Sequence, residues 1–268
     1  MVDAIFSEPR LAAIYDAVTC FAYAVLGDIK LFAGDVDGAV ASWDAAAEGF
    51  AIAAPGLVPY AGAGAALALA YGHRRAEALE RATTALHAAD RSGCPTTRAF
   101  ARFAAAEASS HETASRATDL LNEAIDISES VSGAFIANVA RLTLATLTAR
   151  QGRPQRAVAY YPALLHEWRR SGQWAQQWNT LRTLVPILTE AGACIEAATL
   201  LGGLHASAQA DSWGDDQIAL EHAISALQLE LGDRFSRDLE LGASIDALEL
   251  VAFAEGVTTR LARSSSGS

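Results

Sequence analysis

The sequence predicts an all-α protein, a solenoid of about five helix pairs with a C-terminal helical cap. Three observations carry this reading. Hydrophobic residues make up 51% of the 268-residue chain and much of that share is alanine, a strong helix former that lets helices approach closely. No stretch sustains the alternation of apolar and polar residues that a half-buried strand requires. A turn signal followed by an alanine-bearing helix recurs with anchors at Ala39, Ala78, Ala117, Ala157 and Ala197, separated by 39, 39, 40 and 40 residues. A period of this size marks a helical repeat.

The register holds away from the anchors. One turn on stand Trp43, Ala82, Leu121, Tyr161 and Leu201; three residues further stand Ala46, Ala85, Ala124, Leu164 and Leu204. All are apolar, as a buried i, i+4, i+7 stripe requires. Twelve residues before each anchor come Gly27, Ala66, Ala105, Ala145 and Val185, small residues that let the first helix of a pair touch the second.

The elements follow in order. First helices are expected over 10–32, 57–71, 95–109, 134–151 and 173–191, and second helices over 36–53, 75–91, 113–131, 154–170 and 194–209. The turns inside the pairs are Gly34-Asp35, Gly72-His73, Ser110-His111, Gly152-Arg153 and Gly192-Ala193. Gly93, Gly133 and Gly172 follow second helices, where a left-handed cap suits glycine. Pro154 falls in a first turn, where its missing N–H costs nothing, while Pro162 and Pro186 fall inside helices and should kink them. After about residue 210 the period fails. Helices near 217–231, 234–241 and 245–263 read as a cap closing the apolar end of the stack, and 264–268 as a disordered end. The domains expected are thus repeats over 1–209, a cap over 210–263 and a short tail.

The formal charge of −11 argues against nucleic acid or an anionic membrane as a direct partner. Cys20, Cys94 and Cys194 are widely spaced and odd in number, which argues against a disulfide framework or zinc site and for buried thiols in a reducing cytoplasm. Gly49 to Tyr71 carries no charge and matches a membrane span in length. Pro55-Gly56 and Pro59 interrupt it, and alanine and glycine supply little transfer energy, so it reads as a loop and a buried helix.

The run Tyr23 to Ala46, with Leu26-Gly27, Gly34-Asp35, Ala39, Trp43 and Ala46, resembles the tetratricopeptide repeat, and Gln151 to Leu164 is similar. The period exceeds that family's 34 residues, and Ser110-His111 replaces the turn glycine in a middle copy. Glu196 to Gln209 and Leu231 to Ala254 resemble the C-terminal region of large actinobacterial signalling ATPases. The shared pattern is Leu200-Leu201-Gly202, Leu231-Gly232, Phe235, Gly242 and the run from Ser244. In those proteins helical repeats follow an NTPase core, with a cyclase-like domain before the core or a LuxR-type DNA-binding helix-turn-helix after the repeats. Superhelical sensors of maltose-operon-type regulators are also similar. This chain has no P-loop and no LuxR-type reading helix, so the resemblance implies a sensor or interaction segment, with an NTPase domain of the same protein as one possible partner.

No chemistry-bearing constellation emerges. The six histidines form no HExxH and no i, i+4 pair, GxSxG is absent, and no catalytic residue, cofactor or metal is expected. In the tetratricopeptide family the groove is lined by first helices. Carried over, that gives Phe21, Asp28 and Phe32; Tyr60, Leu67 and Tyr71; Arg102, Ser109 and Ser110; Leu142, Thr146 and Arg150; and Asn179 and Arg182. With Trp178, the residues singled out for a ligand or partner are Tyr60, Tyr71, Arg102, Arg150, Trp178, Asn179 and Arg182. Trp174 and Trp178 lie one turn apart and fit either core packing or a recognition patch with Asn179 and Arg182. The expected function is a non-catalytic sensor or protein-interaction domain that takes a protein segment or small effector on the concave face. The alternative is an architectural or oligomerisation module with no small ligand.

Overall fold

The structure, a computed structural model, describes residues 9–111, 113–207 and 215–265. It is all-α, with no strand among the described residues. The chain forms two compact units, Met1–Ala140 and Arg141–Ser268. The division falls inside one helix of the repeat region.

The first unit contains α1 (Pro9–Phe32), α2 (Val36–Ala53), α3 (Val58–Tyr71), α4 (Arg75–Ser92), α5 (Pro95–Ser109), α6 (Ala114–Ser130) and the start of α7 (Ala134–Arg150). From α1 to α6 each helix packs on the next, and α1 also meets α3, as α3 meets α5. The turn between α1 and α2 shows how the sequence enforces this. Gly34 takes φ +79°, and the Asp35 carboxylate accepts from the Gly38 N–H at 2.8 Å, capping α2.

The repeat register is the core. Ala39, Ala78, Ala117, Ala157 and Ala197 are all fully buried, and the positions four and seven residues on are buried in every unit. Trp43 lies between two glycines: a Cβ on Gly27 of α1 would stand 2.7 Å from its indole, and one on Gly64 of α3 would collide with its opposite side. Cys20, Ala24, Ala46, Phe50, Ala61 and Ala65 complete this cluster. The uncharged stretch from Gly49 to Tyr71 is therefore small because its backbone must come close to neighbours. Gly49 meets Cys20, and Gly64 meets Trp43. Among the described residues no helix is long and apolar enough to cross a membrane.

Ion pairs join α2 to α4 and to the residue that precedes it. Asp37 meets Arg74 at 2.6 Å, and Asp44 pairs with Arg81 through two guanidinium nitrogens. Exposed pairs of this kind each contribute about 0.2–1 kcal/mol.

The second unit holds the rest of α7, then α8 (Pro154–Val158), α9 (Tyr161–Ser171), α10 (Trp174–Glu190), α11 (Cys194–Ala206), α12 (Asp215–Leu231), α13 (Arg234–Ala243) and α14 (Ala247–Ser265). Two hydrogen-bonded relays tie α9 to α10. Trp168 donates its indole N–H to the Thr180 hydroxyl at 3.0 Å, and Thr180 donates to the Gln176 carbonyl at 2.8 Å. Tyr161 donates to Thr183 at 3.2 Å, and Thr183 donates to the Thr180 carbonyl at 3.0 Å. Tyr161 and Trp168 are almost wholly buried, so these partners satisfy polar atoms that water cannot reach.

The C-terminal helices fold back onto this unit. α12 packs on α10 and α11, and α14 on α8, α9 and α11. α13 crosses α11 at backbone contact, because Gly202 faces the Leu239 carbonyl and Gly242 faces the Thr199 carbonyl with no room for a Cβ at either. Arg169–Glu255 at 3.1 Å and Arg260–Glu196 fasten α14 at its edge.

Some local expectations need correction. The helix expected over 154–170 is two helices, with Ala159 and Tyr160 between them. Pro162 lacks the N–H that would continue the ladder and opens α9 instead of bending one long helix. Gly93 and Gly172 take the left-handed conformation expected of them, but after α6 Ser132 takes it (φ +57°), and Gly133 donates to the Ser128 carbonyl at 2.7 Å. A side chain on Gly133 would stand 3.1 Å from that carbonyl, so glycine is used there for space. Likewise His73 (φ +60°) is left-handed after α3, while Gly72 makes room for Val36. Ser264 and Ser265, expected in the tail, belong to α14; 266–268 lie outside the described residues, as does most of the break expected near 211–216.

Candidate functional site

Phe21 and Tyr60 occupy the same place in successive helix pairs, each eighteen residues before its anchor alanine. Stacking of α1 on α3 brings them together, with ring centroids 6.5 Å apart. Phe21 meets Phe50 edge-on at 5.0 Å, Tyr60 meets Trp43 edge-on at 5.9 Å, and Tyr60 stacks on Phe100 of α5 at 4.5 Å. Phe100 continues to Phe103 at 6.3 Å. Three successive first helices thus contribute to one aromatic shelf. Trp43, Phe50, Phe100 and Phe103 are buried and Tyr60 is partly buried, whereas Phe21 remains 43% exposed.

Asp28 stands two turns beyond Phe21 on α1. The residue keeps access to water, yet protein atoms crowd its carboxyl, and this desolvation pushes its pKa up to about 6. Desolvation is the cause, and among the described residues no cation offsets it. Lys30, two residues on, is drawn to α2, where its ammonium donates to the Ser42 hydroxyl at 3.0 Å and the Gly38 carbonyl at 3.3 Å. Burial, and then the negative charge of Asp28, raise the Tyr60 pKa. The arrangement offers an apolar ring surface beside a carboxylate that lacks a counter-ion among the described residues. A cation against both would recover solvation for the carboxylate and quadrupole attraction from the rings.

Arg102 belongs elsewhere. It is buried, donating to Glu123 of α6 at 2.6 Å and to Asp90 of α4 at 2.8 Å. Its guanidinium, together with Arg98, holds the Asp90 pKa below the ordinary carboxylate value. Arg102 thus links α4, α5 and α6 and leaves little of its donor fork for a ligand. Leu67, Ser109 and Ser110 are also buried, and the two hydroxyls are bonded to carbonyls of their own helix. Tyr71 is half-buried at the end of α3, and Phe32 is well exposed at the end of α1.

The remaining candidates lie in the second unit. Trp178 is buried, while Trp174 is 47% exposed at the start of α10. The two therefore do not form one patch, and Trp168 is the deeper of the neighbouring indoles. Asn179 and Arg182 are half-buried on α10, and Arg150 is exposed at the end of α7. Leu142 is buried, and the half-buried Thr146 donates back to its carbonyl at 3.2 Å.

Trp178 lines a half-open cleft of about 290 Å³ with Gly203, Ser207, Ala243 and Asp246. Asp246 is engaged in capping α14, accepting from the Leu248 and Glu249 N–H groups at 2.8 and 2.9 Å. The cleft lies at the lower edge of ligand-pocket sizes and presents no convergent set of unengaged polar groups. Among the described residues no cluster of His, Cys, Asp and Glu could hold a metal ion.

Reading by motif position found Phe21, Asp28 and Tyr60. It missed Phe100, which lies one residue off the corresponding position on α5, and Phe50, which comes from a second helix. An aromatic residue near the same place in three consecutive first helices was the available signal. No protein-family model matches this chain, and no curated protein does either.

Proposed function

We propose that this chain is a non-catalytic sensor or partner-binding module, whose first-helix surface in the first unit takes a cationic group of a protein segment or small effector. The observation that carries the reading is the juxtaposition of Asp28, without a counter-ion among the described residues, with the Phe21–Tyr60–Phe100 shelf. Arg102 is occupied by Asp90 and Glu123, so the local charge complement asked of a ligand is positive. The repeat architecture supports the role, because stacked helix pairs present side chains from successive units along one surface. The resemblance of the C-terminal region to signalling ATPases supports a cytoplasmic regulatory setting, in which occupancy biases an adjoining NTPase or output domain by preferring one of its conformations.

The test is an array of short peptides with and without lysine or arginine, probed with the wild-type chain and with Asp28→Asn. Retention of basic peptides by the wild type and their loss by Asp28→Asn is the expected result. Equal retention by the two proteins, or no preference for basic peptides, overturns the assignment. The alternative reading, an oligomerisation module, is favoured by a different surface of α1.

A further inference from the structure

Helix α1 has two apolar faces. One packs on α2 through Cys20, Ala24, Gly27 and Leu31, of which the three with side chains are 4–5% exposed. The other carries Val18, Ala22, Val25, Ile29 and Phe32, and its large members stand 56–66% exposed. The spacing of this second set is 4, 3, 4, 3, a period of 3.5 residues. That is the period of a coiled-coil seam, shorter than the 3.6 of a straight helix. In sequence the spacing continues upstream at Tyr15 and Leu11.

No charge falls within the stripe from Val18 to Phe32; Phe21 and Leu26, themselves partly exposed, flank it, and the exposed Asp28 borders it beside Phe21. Here stripe and flanks leave roughly 500 Å² of contiguous apolar surface, as large as the patches that mark interaction sites.

We infer that this stripe is a dimerisation seam, occupied by the same stripe of a second copy of this chain, with the two α1 helices antiparallel about Val25. Self-pairing follows from three features. An isologous contact needs a patch complementary to itself, and an uncharged stripe meets that need even though each copy carries a formal charge of −11. Antiparallel pairing about Val25, the midpoint of the stripe, places Ala22 opposite Ile29 and Val18 opposite Phe32 of the second copy, so that each smaller side chain faces a larger one. The area also suffices: two copies bury about 1,000 Å², the size at which specific interfaces begin. The parallel alternative is disfavoured because it puts the β-branched Val18 and Val25 at the d positions, where two-stranded parallel coiled coils favour leucine.

Sedimentation equilibrium across the micromolar to millimolar range tests the inference on the wild-type chain and on the double variant Val25→Glu, Ile29→Glu, with circular dichroism of each. The wild type should be a concentration-dependent dimer. The double variant should keep the wild-type helix content, because both positions are exposed, and should dimerise at least about 100-fold more weakly, since each glutamate would have to leave water at the seam. Orientation is read by oxidative cross-linking with Cys94 and Cys194 replaced by serine. Val25→Cys should cross-link, and Val18→Cys should not. A wild-type monomer throughout the range, a dimer that survives the double variant, or a monomer whose stripe captures only a helix of a different protein overturns the inference. Cross-linking of Val18→Cys in preference to Val25→Cys overturns the antiparallel arrangement.

Discussion

Gly27 lies against the indole of Trp43 so closely that even a methyl group in its place would stand 2.7 Å from Cδ1. With Gly64 on the opposite side of the ring, the tryptophan joins one helix pair to the first helix of the next. Gly27→Ala should destabilise the chain by about 1–3 kcal/mol through overpacking, despite the helix propensity that alanine adds. Gly256 is the control, as it sits in α14 with open space where its Cβ would be, and Gly256→Ala should stabilise by about 0.5–1 kcal/mol. Urea denaturation of the two variants should shift in opposite directions; a shift in the same direction would show that the indole yields.

Asp28 should make stability depend on pH in an unusual sense for a carboxylate. Its folded pKa of about 6 lies above the ordinary 3.8, so the folded state binds the proton more tightly than the unfolded chain. The cost of the buried charge is present in full above pH 6. It is relieved as pH falls through the folded value and is gone below about 4, where both states are protonated. Asp28→Asn should therefore be more stable than the wild type at pH 7.5, and the gap should narrow towards pH 4.5. Denaturation at these two values measures it, and a gap that widens on acidification contradicts the assigned environment.

Arg102 should matter to the fold more than to a ligand. Arg102→Met removes both charge-assisted contacts and leaves Asp90 and Glu123 half-exposed, for a loss of about 1–3 kcal/mol. Arg102→Lys should recover only part of that loss, because one ammonium cannot span both carboxylates as the fork does. The lowered Asp90 pKa adds stability that is present at neutral pH and lost as pH falls through the folded value. The difference between wild type and Arg102→Met should thus shrink in acid, which thermal melts at two pH values would register.

In the second unit Thr180→Val should remove the hydroxyl that accepts from the buried Trp168 indole at a cost of about 1–2 kcal/mol, whereas Thr180→Ser should retain most of the stability. Gly242→Ala should cost more, about 3 kcal/mol, because the obstacle is the Thr199 carbonyl, and backbone cannot turn aside as a side chain can. Calorimetric melting of the three variants should rank them in that order of increasing loss: serine, valine, alanine.

Most of the helix map was legible because it depends on local signals that nothing overrides. α2 and α5 begin and end at the residues expected from turns and periodicity, α3, α4 and α7 differ by a residue at one end, and α10 by a residue at each end. The buried register was legible for the same reason, since an alanine every 39 or 40 residues with apolar positions four and seven on leaves little choice of face. The helix through Pro162 was misread because periodicity continues across the break, while the proline decides. The aromatic shelf was half legible: Phe21 and Tyr60 share a motif position, but Phe100 joins through the stacking of α3 on α5. The fate of Arg102 was hidden, because Asp90 and Glu123 lie on two other helices and no spacing along the chain announces a bridge among three elements. The glycines of Leu200-Leu201-Gly202 and Gly242 looked like a family signature; their work is to let α11 and α13 touch.

The fold-back of α14 has a consequence for the order in which the chain acquires structure. From α1 to α6 partners are near neighbours along the polypeptide, so the first unit can assemble while synthesis is still in progress. α8 and α9 must instead wait for a helix about ninety residues downstream, and that loop closure slows folding. Apolar surface on these helices stays uncovered until α14 has left the ribosome, which leaves the second unit more exposed than the first to chaperones and to aggregation.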